Sequence, residues 1–226
     1  MKPAIFNTDM VRAILDDRKT NTRRPFSKYI KKVIKYAYEL GEIGSNGVDQ
    51  PFSDGDIKYL IDFAPYKKGD IIYVRETWCI GSLDGDTSGH REYWCIRQNN
   101  LSKTVFYKAD CNDDSGYCDS DHLVKWKPSI HMSKEYARLF LRVKDVRIER
   151  LNEISEEDAI AEGVLRISED DGIWYPDYKQ WGRLYKYAKL SFHTLWEFIY
   201  GNGSFNDDYV WVIELEKISK KEAING

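Results

Sequence analysis

The sequence predicts an α+β fold in which a small β-barrel is flanked by helices and interrupted by inserted loops. Three observations lead there. Between Leu139 and Leu151 the apolar residues alternate, but Leu139, Leu141 and Val143 are odd-numbered while Val146 and Ile148 are even. The inward face therefore changes near Lys144-Asp145, and a β-bulge at that point bends the strand as a small closed sheet requires. Second, Ile71-Ile72-Tyr73-Val74-Arg75 is a β-branched and aromatic run directly after the turn signal Lys68-Gly69-Asp70, which predicts a strand crossing the core. Third, Ser155 opens a helix with Glu156, Glu157 and Asp158 in its electropositive first turn, Ile154 placed to staple onto Ala159, and Gly163 to end it.

The remaining elements follow in chain order. After a short strand-like start, Thr8 caps a helix whose apolar face is Met10, Val11, Ile14 and Leu15, with Arg18 and Lys19 near its negative end; the helix stops by Asn21. Pro25 forbids helix at Arg24, and Tyr29, Ile30, Val33, Ile34 and Ala37 then recur at helical spacing between Ser27 and Gly41. Residues 42–69 carry many turn formers and little periodicity, so they read as loop with at most one short strand around Ile57 to Phe63. Glu92 to Gln98 and Lys103 to Lys108 read as two strands joined in a hairpin by Asn99-Asn100, a pair that tolerates positive φ. Asp110 to Asp121, rich in Asp, Ser and Gly, reads as a mobile acidic loop. A helix from Lys189 to Tyr200 buries Phe192, Leu195, Trp196 and Ile199, and Tyr209 to Lys217 supplies a final strand.

Composition narrows the function classes. With 42% hydrophobic and 14% aromatic residues in 226, the chain can bury a sizeable core. Its 34 basic and 37 acidic side chains leave a formal charge of −3, so no overall positive field holds long duplexes and any nucleic-acid contact is local. The four cysteines form no C-x-x-C pair and the four histidines no zinc-like spacing beside them, so no metal site is expected. Without an apolar run suited to a signal peptide or a membrane span, the expectation is a cytoplasmic protein with free thiols that binds no membrane.

The segment Asp17-Arg18-Lys19-Thr20-Asn21-Thr22-Arg23-Arg24 resembles the G-x-K-x-x-T-x-R signature of the ASCH family, a branch of the PUA-like barrels associated with RNA. Lys19, Thr22 and Arg24 match, and the glycine is replaced by Asp17, a residue type that tolerates left-handed backbone better than most. Further similarity to longer, phage- or prophage-type ASCH proteins lies in Lys68-Gly69-Asp70 leading into Val74-Arg75-Glu76-Thr77-Trp78, in Trp126-Lys127-Pro128-Ser129-Ile130-His131-Met132, in Ser155 to Gly163, and in Trp211-Val212-Ile213-Glu214. The resemblance implies a single PUA-like domain over residues 1–226, with insertions at 27–66 and 110–122. It also implies a cleft that faces a nucleoside or an RNA base and, in some small relatives, an amidohydrolase that removes the acetyl group from N4-acetylcytidine. Their working lysine, threonine and glutamate fall by motif position on Lys19, Thr22 and Glu162.

An amide hydrolase needs a nucleophile, a base and donors for the developing oxyanion, and Thr22 with Lys19 can supply the first two. Lysine titrates near 10.4 when exposed and must fall to about 7–8 to act as a base, which requires burial or cationic neighbours such as Arg18, Arg23 and Arg24. Tight pairing with Glu162 would raise that pKa instead, so the converse division stays open: Lys19 charged at the oxyanion while Glu162 activates water. Arg75 and Glu76 end a core strand, where a barrel presents side chains to its mouth, and Trp78 can stack on a base. Trp126, Lys127, Ser129 and His131 offer an aromatic face, a cation and hydrogen-bonding groups in one short run. Together with Arg24 these are the expected binding residues. No cofactor is expected. The alternatives are a non-catalytic reader of RNA or a modified nucleotide, and a phage accessory protein whose insertions dock a protein partner.

Overall fold

A computed structural model of the chain describes residues 1–85, 91–94, 104–111 and 126–225. The fold is mixed α+β. In chain order the elements are β1 (Lys2–Ile5), α1 (Thr8–Leu15), β2 (Asn21–Pro25), α2 (Lys28–Glu39), α3 (Asp54–Ile61), β3 (Ile71–Arg75), β4 (Trp78–Gly85), β5 (Arg91–Trp94) and β6 (Thr104–Tyr107). They continue with β7 (Phe140–Arg150), α4 (Glu156–Ala161), β8 (Ile167–Glu169), β9 (Gly172–Pro176), β10 (Leu184–Tyr185), α5 (Ala188–Tyr200), β11 (Tyr209–Ile218) and α6 (Lys220–Asn225). Among the described residues no sheet closes into a barrel.

Two compact units divide the chain: Met1–Leu15 with Ile71–Leu141 and Lys217–Gly226, and Asp16–Asp70 with Arg142–Glu216. In the first, β1 runs parallel to β3, pairing Ala4 with Val74, and the Val74 N–H donates to Leu139 O at the approach to β7. Tyr73, Ala137, Phe140, Ile218 and Ala223 form a buried cluster there. The strands β5 and β6 both pair antiparallel with β4, one on either side. The described parts of the two strands expected to form a hairpin both take their hydrogen bonds from β4, a strand not expected from the sequence, while the turn end of that hairpin, residues 95–103, lies outside the described residues. The Asn99-Asn100 turn and most of the acidic loop lie outside the described residues.

In the second unit β11 lies between β7 and β2, and β2 pairs antiparallel with β11 so that Thr22 faces Ile213 and Arg24 faces Trp211. Along β7, Leu141 and Val143 are buried, Lys144 and Asp145 are both exposed, and Ile148 is buried again, so the inward face does change where the alternation changes parity. The α4 helix starts as expected, with Ser155 accepting from the Asp158 N–H, and it ends at Gly163 with φ of 87°. It packs with α5 over Leu151, Ile154, Ala159, Phe192, Leu195, Trp196 and Val212. Ile199, expected to be buried, is exposed.

Two further differences arise in this unit. The stretch 54–61 is a helix rather than a loop or strand, because Ser53 and Asp56 close a capping box that supplies the first turn with its missing partners. A small antiparallel sheet, β10-β9-β8, occupies residues 167–185, where no strand was expected. Its strands are two to five residues long, too short for alternation to register.

Candidate functional site

Strand β2 decides where the G-x-K-x-x-T-x-R-like residues point. The chain reaches it through Asp17, whose φ of 57° makes it the one described non-glycine residue in the left-handed region, at the position where the signature has glycine. Beyond it, the Arg18 Nη1 donates to Gly163 O at 2.9 Å and the Thr20 N–H to Ala161 O at 2.8 Å, so the segment lies along the end of α4. Side chains then alternate across the strand.

The odd-numbered side chains face the acidic helix end. Lys19 Nζ donates to Asn21 O at 2.8 Å, Glu162 O at 2.8 Å and Glu162 Oε2 at 2.9 Å, and both residues are 4% exposed. Asn21 Nδ2 donates to Asp158 Oδ1 at 3.0 Å. Arg23 reaches Glu162 Oε1 at 3.2 Å, Glu149 Oε2 at 2.7 Å and Asp158 Oδ2 at 2.7 Å, while Arg147 also binds Glu149 and Asp158. Three cations, Lys19, Arg23 and Arg147, thus meet three carboxylates, Glu149, Asp158 and Glu162, and the network carries no net charge. Burial lowers the Lys19 pKa against the opposing pull of Glu162, with Arg24 and Arg23 adding to the lowering. Asp158, desolvated but bonded to Arg23 and Arg147, is held below the usual carboxylate range.

The even-numbered side chains face away from this network. Thr22, 3% exposed, sits beside Ile213, and Arg24 sits beside Trp211. The expected trio is accordingly brought together in two parts: Lys19 with Glu162 on one face of β2, and Thr22 on the other. The lysine's three N–H groups already have three oxygen acceptors, which leaves no lone pair for deprotonating a hydroxyl.

Arg24 opens into a cavity of about 360 Å³ lined by Pro25, Ser27, Tyr29, Ile30, Phe63, Pro65, Tyr66 and Trp211. Its four rings come from three places. Trp211 is the cross-strand neighbour of Arg24, Tyr29 is in the first turn of α2, and Phe63 and Tyr66 follow α3. Burial raises the Tyr66 pKa while the Arg24 charge opposes the rise, which places the phenol and the guanidinium in one electrostatic environment. Arg24 was expected from the signature; the four aromatic residues were not. Trp211 enters the sequence pattern through the similarity of its strand and Tyr29 through helical spacing, but neither signal marks a cavity wall, which leaves no periodic trace in sequence.

The other expected binding residues form a separate cluster in the first unit. Glu76 is 1% exposed, and both its oxygens are held by Arg138, through Nε and Nη2 at 3.0 Å each; Arg138 Nη1 also reaches Asp110 at 2.7 Å. Burial raises the Glu76 pKa and Arg138 opposes the rise. Arg75 donates to Ile130 O at 3.3 Å and to the Tyr73 hydroxyl at 3.1 Å. Trp78 is buried against the Tyr136 ring at 4.7 Å, the Lys127 ammonium stands 4.8 Å from its indole centroid, and Trp78 and Lys127 exchange two backbone hydrogen bonds. Trp126 is half-buried, Ser129 half-buried and His131 exposed on a 3₁₀ turn, Ser129–His131. These residues tie the 126–138 segment onto the end of β3, and Glu76 and Trp78 have their faces covered by protein.

No group of three or more His, Cys, Asp and Glu able to hold a metal ion occurs among the described residues. No described helix is long and apolar enough to cross a membrane. Comparison with known proteins finds no matching family model, no similar curated protein and no similar solved structure.

Proposed function

We propose that this chain is a nucleoside- or RNA-base-binding protein of the ASCH, PUA-like type, and that the base enters the cavity at Arg24. The observation that carries the reading is the meeting of one guanidinium with four aromatic rings, Tyr29, Phe63, Tyr66 and Trp211, around about 360 Å³. That volume lies within the range of small-molecule sites. Rings on several sides suit a planar base, which gains stacking energy whatever its identity, and Arg24 offers paired N–H donors to a carbonyl or ring nitrogen. The PUA-like barrel belongs to the same proposal and is supported by the order of the sequence motifs and by the left-handed backbone at Asp17.

Isothermal titration with cytidine, uridine, adenosine, guanosine and N4-acetylcytidine tests it. At least one should bind in the micromolar range, and Arg24→Ala should weaken that binding about tenfold, the loss of one hydrogen bond from a charged donor. Binding of none of the five, or binding indifferent to Arg24→Ala and to Tyr66→Ala, ends the proposal.

A second reading, hydrolysis of an acylated base such as N4-acetylcytidine, is favoured by the burial of Lys19 and Glu162 together with a lowered lysine pKa. It requires the ammonium to exchange one of its three acceptors for substrate. Release of acetate from N4-acetylcytidine, abolished in Lys19→Ala, would establish it, and turnover equal to a blank would dispose of it.

A further inference from the structure

The α2 helix turns an unusual face to solvent. Its twelve residues contain four lysines, Lys28, Lys31, Lys32 and Lys35, and one acid, Glu39, in a chain whose formal charge is −3. Ile30, Ile34 and Ala37 are buried, which fixes the rotation of the helix. At 100° per residue Lys28, Lys32, Lys35 and, in the last turn, Glu39 then form the outward ridge, with Tyr29 and Tyr36 along one flank and Lys31 and Tyr38 along the other. Tyr29 and Tyr36 are 65% and 60% exposed, which leaves their ring faces open to a stacking partner. Lys31 is held by Asp208 and Lys35 is 3.8 Å from Glu39; among the described residues Lys28 and Lys32 have no acidic partner.

A concavity lies on each side of this ridge. The Tyr29 flank lines the Arg24 cavity. The opposite flank, with Lys31, Ile34, Lys35 and Tyr38, lines a second cavity of about 520 Å³ whose wall also holds Phe52, Tyr209 and the carboxylates Glu39, Asp207 and Asp208, so the anionic ligand belongs to the Tyr29 side. A cationic ridge about 10 Å long from Lys28 to Lys35, bordered by exposed rings and, on the Tyr29 flank, by the ring-lined Arg24 cavity, matches a ligand that alternates anionic and planar aromatic groups.

We propose that α2 is a track for single-stranded nucleic acid: Lys28, Lys32 and Lys35 meet phosphates, Tyr29 and Tyr36 stack unpaired bases, and the strand leads into the Arg24 cavity. This rests on the base-binding reading of that cavity. The rings distinguish this partner from an acidic peptide, which has no use for two exposed tyrosines beside a cationic ridge. Stacking also requires unpaired bases, so a duplex does not fit.

The test is fluorescence anisotropy of labelled 12-nucleotide oligo-uridine RNA and oligo-thymidine DNA with the full chain, at several salt concentrations. For the triple variant K28Q/K32Q/K35Q, all at exposed positions, the slope of log K against log salt should be less steep by about 2, three charges at roughly 0.7 each. Tyr29→Ala and Tyr36→Ala should each weaken binding about tenfold. Nucleoside binding should be unchanged in the triple variant. Conversely, Arg24→Ala should weaken nucleoside binding about tenfold yet keep the lysine-dependent salt slope, so failure of the cavity and failure of the track are read separately. A preference for RNA or for DNA, or equal binding of both, supports the track and reports on the 2′-hydroxyl. Absence of oligonucleotide binding at low salt, an unchanged slope in the triple variant, or poly-glutamate binding as tightly as either oligonucleotide would overturn it, the last pointing to an acidic protein partner.

Discussion

Replacing Lys19 by methionine keeps an unbranched side chain, one atom shorter, and removes its charge and all three hydrogen bonds. Glu162 would then be a buried carboxylate whose remaining cationic contact is Arg23, at 3.2 Å on its other oxygen. Removing one partner of a buried ion pair costs about 3–5 kcal/mol. The surviving Arg23 contact moves the expectation towards the lower end, while the carbonyls of Asn21 and Glu162, each deprived of a donor, add about 1 kcal/mol apiece. A loss of roughly 5 kcal/mol is about 10–20 °C in the unfolding midpoint for a chain of this length. Circular dichroism melts at neutral pH measure it directly. The companion Lys19→Met/Glu162→Leu removes both charges and leaves Arg23 with Glu149 and Asp158, so it should lie within about 2 kcal/mol of the parent, far from additive. A Lys19→Met midpoint within 2 °C of the parent, or additivity in the double variant, would show that the ammonium is solvated and the network argument mistaken.

Arg138→Met should leave Glu76 buried without its bidentate partner and cost about 3–5 kcal/mol at neutral pH. The folded-state pKa of Glu76 already lies above its ordinary value, so its contribution to stability is fully present below pH 4.5 and is lost as pH rises through the folded pKa. Removing Arg138 raises that pKa further. The deficit of the variant should therefore shrink as pH falls from 7 towards 4.5, and melting curves across that range showing a constant deficit would contradict the assignment. Gly47→Ala should destabilise the loop beside the larger cavity by about 1–3 kcal/mol. Gly47 has φ of 75°, and a Cβ there would lie 2.6 Å from the buried Phe52 ring; an unchanged melting midpoint would show that the ring gives way.

Elements whose signals are local were legible in the chain itself. The α4 helix carries its cap, its acidic first turn and its terminating glycine within nine residues, and β3 follows directly on its turn. The parity change in β7 was visible because an eleven-residue strand is long enough to show alternation on both sides of Lys144-Asp145. The α3 helix also had a local signal, Ser53 with Asp56 three residues on, but glycine and aspartate in its first turn read as loop formers. Pairing was not legible: spacing suggests that β5 and β6 pair with each other, whereas their described residues pair with β4.

The candidate site divides along the same line. Residue types and spacing single out Lys19, Thr22, Arg24 and Glu162, because charge and hydrogen-bonding capacity are properties of the residue. Which of them meet is a property of the strand. Once residues 21–25 pair with β11, the two-residue period sends Asn21 and Arg23 towards the carboxylates of α4 and β7, and Thr22 and Arg24 towards Ile213 and Trp211. The walls of the Arg24 cavity come from residues up to 187 positions from it along the chain, Trp211 being the farthest. Local chemistry is written in the sequence one residue at a time, whereas a concave surface exists only after distant segments have packed, and no spacing rule encodes it.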